Sequence, residues 1–469
     1  MLPPKIAAVL CVAFMAWLFR RDFRERPNVT SALWLPFFWI MVSGSRFFSE
    51  WLGVFGLGSV GGSVQEGSPL DAAFFFAIIA GGLYVLKQRQ VNWGEFIRHN
   101  RWIAIYLGYC LLACLWSDYP LVSAKRWVKL FGQPVMVLVL LTEPEPLEAL
   151  TRLLKRFAYV IVPVSILFIK YFPDLGSAYD AWTGQRMNTG ITTDKNVLGC
   201  DGFVLSLFFV WHFQRVWRRE KSLARRNELI LCAAFMGPVL WLLYMAHSSS
   251  PIGALAMALA MMWFLGLKSV NHSRLGTYLF TGIVVLGAAQ YFFHLHEIII
   301  HALGRNTNLT GRTEIWDILL HWDLNPVLGV GFESFWLGPR LDELAVLLPG
   351  LSLNEAHNGY LETYIQIGGL GLLLTFAMLL AAYFKTQRAL LNDFDFGRFR
   401  LAYLAAFIVY NFTEALFRTH GLQFFLFFLI ATDYPAWHTT NSADADIPES
   451  DADTAGVHKT SMAADGFMG

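Results

Sequence analysis

The sequence predicts an all-α, polytopic membrane helical bundle of about 12–13 transmembrane helices. Three observations predict it: an apolar composition, apolar runs of spanning length, and a sorted distribution of Lys and Arg. The chain is 55% hydrophobic and only 15% charged, with a mean hydropathy of +0.45. About a quarter of the residues of a soluble domain are charged, so this chain could not clothe a soluble surface. Its 17 Trp and 40 Phe suit lipid-facing bodies and interfacial belts. The formal net charge of +1 identifies no partner, and no nucleic acid is expected.

The apolar runs fall at roughly 4–19, 31–47, 69–86, 102–117, 124–141, 153–172, 197–213, 229–246, 250–267, 277–293, 359–384, 401–416 and 419–433. The first is followed by Arg20, Arg21, Arg24 and Arg26, where a signal peptide would carry small residues, so it reads as an uncleaved anchor. Those arginines open a series of cation clusters: Lys87 to Arg101, Arg215 to Arg226, Lys268 with Arg274, and Lys385 to Arg400. Counting spans, all five clusters fall on one side, which is then cytoplasmic. Four regions follow: an N-terminal transmembrane bundle (1–293), an outer loop with short amphipathic helices (294–358), C-terminal transmembrane helices (359–435) and a disordered acidic tail (436–469).

Within the outer loop, 312–322 reads as a helix with Thr310 as N-cap, and Asn325-Pro326 as a turn. Ile315, Trp316, Leu319, Leu320 and Trp322 would lay that helix on the membrane surface. The five cysteines, Cys11, Cys110, Cys114, Cys200 and Cys232, read as small packing residues, and no metal motif stands out.

The outer face should be poor in cations, yet it carries Lys125, Arg126 and Lys129 at the start of the fifth span, with Arg126 and Lys129 on one helix face. Arg186 and Lys195 lie in the first outer loop, and Arg305, Arg312 and Arg340 in the second. Ion pairing is one reading, for Lys195 beside Asp194, for Arg340 beside Asp342 and Glu343, and for Arg312 with Glu314 or Asp317. The other is an anionic substrate at the outer leaflet, for which the planar guanidinium fork suits phosphate.

Three local sequences are shaped for such a site. Gly184-Gln185-Arg186-Met187-Asn188-Thr189-Gly190 runs into Asp194-Lys195-Asn196, delivering an Arg, a Lys and an Asn to the start of the seventh span. An ordinary connecting loop explains the same stretch equally well. Gly311-Arg312-Thr313-Glu314-Ile315-Trp316 puts Arg312 in the first turn of a helix, where backbone N–H groups already favour anions. Ala356-His357-Asn358-Gly359-Tyr360-Leu361-Glu362 opens the eleventh span, with Ser352 and Glu355 spaced as a capping box. A lone His is usually structural; His357, between a built loop and a span, is a candidate general base.

With these residues the chain resembles the O-antigen ligase and Wzy-type polymerase superfamily, the ExoQ-type exopolysaccharide polymerases in particular. The resemblance rests on Arg186 with Gly190, Lys195-Asn196-Val197-Leu198-Gly199, Gly311 to Trp316, Asn325-Pro326-Val327-Leu328-Gly329-Val330-Gly331 and His357 to Glu362. Ser31 to Pro36 and Gly44-Ser45-Arg46 add to it, and it extends to about residue 435. It implies a GT-C-like helical fold with a structured periplasmic loop in a multi-pass protein of the bacterial inner membrane. It also implies transfer of a saccharide from undecaprenyl diphosphate to a sugar hydroxyl, with no cofactor, nucleotide sugar or metal. Arg186 and Arg312 would then hold the departing pyrophosphate, and His357 would position the acceptor hydroxyl or take its proton. Lys195, Asn196, Arg126, Lys129, Glu314 and Asn358 would contact substrate. The implied partners are the lipid-linked oligosaccharide, a saccharide acceptor (growing polysaccharide or lipid A core), membrane lipids, and polysaccharide export and chain-length proteins. A transporter or flippase of the same lipid-linked saccharides is the alternative, although no internal repeat supports it.

Overall fold

The computed structural model describes residues 2–57, 67–179, 184–293, 312–348, 353–417 and 421–434. Arg305, Thr310, Ser352 and the tail from 436 lie outside them. The fold is all-α. In chain order the helices are α1 (Pro4–Arg24), α2 (Trp34–Ser43), α3 (Phe48–Val54), α4 (Pro69–Gln88), α5 (Trp93–His99), α6 (Arg101–Ala113), α7 (Pro120–Leu141), α8 (Pro146–Tyr171) and the single turn α9 (Pro173–Gly176). A short antiparallel hairpin, β1 (Ser177–Tyr179) with β2 (Arg186–Asn188), pairs Tyr179 with Arg186. Then come α10 (Lys195–Trp217), α11 (Leu223–Met245), α12 (Ser249–Leu265), α13 (Leu275–Phe293), α14 (Arg312–Leu320), α15 (Pro339–Leu347), α16 (Gly359–Asn392), α17 (Phe394–Tyr410) and α18 (Leu422–Ala431).

The helix starts are written locally. Pro occupies the first turn of α1, α4, α7, α8 and α15, where its fixed φ suits the helix and no N–H is missed. Asp194, Ser222, Asn358 and Asp393 cap α10, α11, α16 and α17 through their side chains.

Every predicted span falls on a helix. Four helices, α4, α10, α11 and α16, are long and apolar enough to cross a membrane by length and composition among the described residues. Shorter apolar helices lie at Ser31–Ser43, Arg101–Ala113, Ser249–Leu265 and Leu422–Ala431. Of the apolar stretch in α10, 78% is buried, against 33% in α4 and α11 and 39% in α16, which makes α10 the most interior of the four. It packs along α11 and α12, α12 packs on α17, and α17 on α16. Phe203 of α10 meets the rings of Tyr403 and Tyr410 on α17 at 6.0 Å.

One end of the bundle holds a buried lattice of charges. Asp22 accepts from Arg152 at 3.0 Å and from Arg156 at 2.8 Å, tying α1 to α8. Glu228 of α11 takes Lys155 at 2.7 Å, His212 of α10 at 2.8 Å and Arg21 at 3.3 Å. Each charge in this lattice is thus matched, the condition under which charges are tolerated away from water.

Three expectations are corrected. The predicted span 401–416 ends as a helix at Tyr410, because residues 411–416 turn back across the start of α16. Gly359 N donates to Asn411 O at 2.8 Å, and Leu416 N to Asn411 Oδ1 at 3.0 Å. Helix α14 does not expose its apolar face as a membrane-surface helix would. Ile315 and Leu319 are fully buried against Phe335, Leu361 and Ile365, and only Leu320 projects. Finally, α16 starts at Gly359 with Asn358 as its cap, so Glu355 belongs to no capping box.

Candidate functional site

The site is built on a break in α16. Ile367 (φ −125°) and Gly368 (φ 69°) leave the helical conformation, freeing backbone groups on both sides. Residues 325–331 fill them: Val330 N and Gly331 N donate to Ile365 O and Gln366 O at 3.2 and 2.8 Å, and Gly369 N and Leu370 N donate to Pro326 O and Val327 O at 2.8 and 3.2 Å. Asn325 Oδ1 turns the segment by accepting from Val327 N and Leu328 N, both at 3.0 Å. Gly368 is required twice over: its φ is left-handed, and a Cβ there would strike the Val327 carbonyl. The glycine pattern of this motif is therefore a docking surface between two backbones.

Above the break, α14 delivers Arg312 and the loop before α16 delivers His357. Arg312 Nη2 donates to Glu414 Oε1 at 2.9 Å, and its Nη1 donates to Thr413 O. His357 Nδ1 lies 3.2 Å from Glu355 Oε1 and 3.5 Å from Glu414 Oε2. The Glu414 side chain is only 8% exposed, so one buried carboxylate stands between the two groups. His357 is held at φ 49°, a left-handed region that few non-glycine residues adopt. Its neighbour fixes it there: Ala356 N donates to Glu362 Oε2 at 2.7 Å, and Trp316 Nε1 donates to Ala356 O at 2.8 Å. Glu362 Oε1 also accepts from Trp336 Nε1 at 2.7 Å.

Burial alone would lower the His357 pKa. The close approach of the Glu414 carboxylate, then the charge of Glu355, outweigh burial and the Arg312 charge, and the net shift is upward. Carboxylates on the Nδ1 side favour the Nδ1–H tautomer, which leaves Nε2 as the proton acceptor, the arrangement used by carboxylate-oriented histidine bases. Glu355, His357 and Glu414 are also close enough to share a metal ion, as are His212, Glu228 and Cys232. In both groups a carboxylate already bears a cation, Arg312 on Glu414 and Lys155 on Glu228.

The other candidate residues fall into separate groups. Arg126 of α7 donates to Glu333 O and lies 3.9 Å from its carboxylate. Glu333 N in turn donates to Gln366 Oε1 at 2.5 Å, and Gln366 Nε2 to Glu362, so a hydrogen-bonded chain runs from Arg126 to the His357 loop. Lys129 turns elsewhere, its ammonium 5.7 and 5.1 Å from the Phe47 and Phe75 ring centroids. Arg186, exposed on β2, donates to Ser177 Oγ at 3.0 Å.

Lys195 is the first residue of α10, behind the Asp194 cap. Asn196 Oδ1 accepts from Ser248 Oγ at 2.9 Å, and Asn358 Oδ1 from Tyr360 N and Leu361 N at 3.0 and 3.2 Å. Both side-chain oxygens thus take part in structural hydrogen bonds. Glu314 is exposed and is not the partner of Arg312; Glu414 is. Arg340 pairs with Asp118 rather than with Asp342 or Glu343. Glu414, Glu333 and Gln366 were missed. For Glu414 a signal existed, an acid inside an apolar run, which is costly unless partnered.

An all-α membrane architecture carrying an arginine–carboxylate–imidazole cluster defines the class, and residues 234–376 match the O-antigen ligase family. That stretch runs from α11 past the break in α16 and includes Arg312 and His357. The chain is also 25% identical over 347 residues to the exopolysaccharide production protein ExoQ of Rhizobium meliloti (strain 1021), covering 70% of this chain and 75% of that protein. Both findings agree with the resemblance carried by the motifs, and the chain is an integral membrane protein.

Proposed function

We propose that the chain is a multi-pass glycosyltransferase of the bacterial inner membrane that builds surface polysaccharide. It transfers a saccharide from undecaprenyl diphosphate to a sugar hydroxyl on the periplasmic face. The observation that carries this reading is the meeting of Arg312 and His357 on Glu414, inside a segment matched by the O-antigen ligase family.

In the reaction the bond between the sugar's anomeric carbon and the pyrophosphate oxygen breaks, and the acceptor oxygen forms the new bond to that carbon. The acceptor proton passes to His357 Nε2. Negative charge grows on the departing diphosphate, where Arg312 stabilises it, with Arg186 as the second cation. Such preorganised charge is often the largest catalytic contribution, about 10²–10³-fold for one donor. The similarity to a protein named for exopolysaccharide production favours polymerase over ligase. A transporter would use a broken helix to line a pathway; at the break in α16 the freed groups bond to residues 326–331 instead.

The test supplies purified protein with an undecaprenyl diphosphate-linked oligosaccharide from the host pathway and follows product length. A ladder lost in Arg312→Ala and in His357→Ala, with both variants still reaching the membrane, is the expected result. Transfer onto added lipid A core without a ladder would indicate a ligase. Normal product in both variants would overturn the proposal.

A further inference from the structure

Far from that cluster, the C-terminal end of α1 has an unbalanced charge. The acids around it are paired with other cations: Asp22 with Arg152 and Arg156, Glu25 with Arg21 and Arg152, Glu148 with Arg152, and Glu228 with Lys155 and Arg21. Arg20, Arg24 and Arg26 face out, and their guanidiniums have no hydrogen-bond or ion-pair partner among the described residues. With Ala16, Phe19 and Phe23 these three line a groove of about 680 Å³. The apolar floor continues along α1, since Val9, Val12, Ala16, Phe19 and Phe23 recur every three or four residues and so share one face. Val9 is 67% and Phe23 55% exposed.

Arg26 adds an independent observation. It follows the helix as its left-handed terminating residue, at φ 46°, and Pro27 comes next. Glycine is the usual residue at that position, and a following proline restricts it further. Sterics alone do not select an arginine there.

We infer that this groove is a binding site for one anionic phospholipid of the surrounding leaflet, its phosphate held by Arg20, Arg24 and Arg26 and its acyl chains lying along the apolar face of α1. Charge complementarity and the continuous apolar stripe select a lipid over a soluble anion, because only a lipid satisfies both. The inference is independent of the transferase reaction.

The test uses the full chain in nanodiscs of phosphatidylcholine with and without phosphatidylglycerol. Thermal midpoint and lipid retained in native mass spectrometry are both read. Phosphatidylglycerol is expected to raise the midpoint by on the order of a few degrees, and one such lipid should stay bound. In the Arg20→Gln, Arg24→Gln, Arg26→Gly variant the rise should vanish and retention weaken roughly 100-fold, while Arg26→Gly alone should stabilise the protein in plain phosphatidylcholine. A triple lysine variant, keeping charge, should keep part of the response. Equal retention in wild type and triple glutamine/glycine variant would overturn the site. An equal rise with inorganic phosphate would overturn the lipid assignment, and no response in wild type would leave the face to an acidic protein partner.

Discussion

One oxygen of the Glu414 carboxylate faces Arg312 and the other faces His357. Glu414→Gln keeps the shape and removes the charge. Its first expected effect is a loss of turnover of about tenfold to a hundredfold, because charge-assisted hydrogen bonds are roughly twice as strong as neutral ones. The second is a shift in pH dependence. As the proposed base, His357 works when deprotonated, so the rate should rise with pH through its pKa. Glu414 raises that pKa, and its removal should move the rising limb to lower pH. A pH–rate profile of the two proteins checks the sign. Stability follows the opposite course. The folded pKa of His357 lies above its ordinary value of 6.5, so its charged form adds stability that is complete below that value. The contribution fades as pH rises through the folded value, a difference that His357→Gln should abolish in melts recorded across that window.

At the scale of elements, the broken helix and the amphipathic α14 make separate claims. Gly368→Ala puts a Cβ against the Val327 carbonyl in a left-handed conformation, and should cost about 2–4 kcal/mol in thermal denaturation, with activity lost as the 325–331 segment undocks. In α14, Ile315→Ala should cost about 2–4 kcal/mol because Ile315 is fully buried, whereas Leu320→Ala, 61% exposed, should fall within about 0.5 kcal/mol. Equal small effects would return α14 to the membrane surface. The break itself was hidden in the sequence. Gly368-Gly369 sits within an apolar run of spanning length, and hydropathy does not report φ.

Across the whole molecule, the charge lattice at the end of α1, α8, α10 and α11 fixes how those helices meet. Asp22→Ala strands Arg156, leaves Arg152 with Glu25 and Glu148 alone, and should destabilise the protein by about 3–5 kcal/mol, seen as a lowered melting midpoint in detergent. This level also shows what the sequence could convey. Apolar runs report burial in lipid or protein one element at a time, so the helices were legible. The cluster was legible only in part, because Arg312 and His357 are marked by their local motifs while their shared carboxylate lies 102 residues beyond Arg312. That the Asn196 oxygen meets a hydroxyl and the Asn358 oxygen two backbone N–H groups is visible only in the packed chain.

That separation along the chain has a consequence for biosynthesis. A ribosome that has released Arg312 and His357 into the membrane has still to make α17 and the turn that brings Glu414 back to them. Until then the Arg312 cation and the His357 imidazole share no partner. On the proposed reaction, chains that end before Glu414 should therefore be at least as impaired as Glu414→Gln, and the cluster is completed only as the last helices are made.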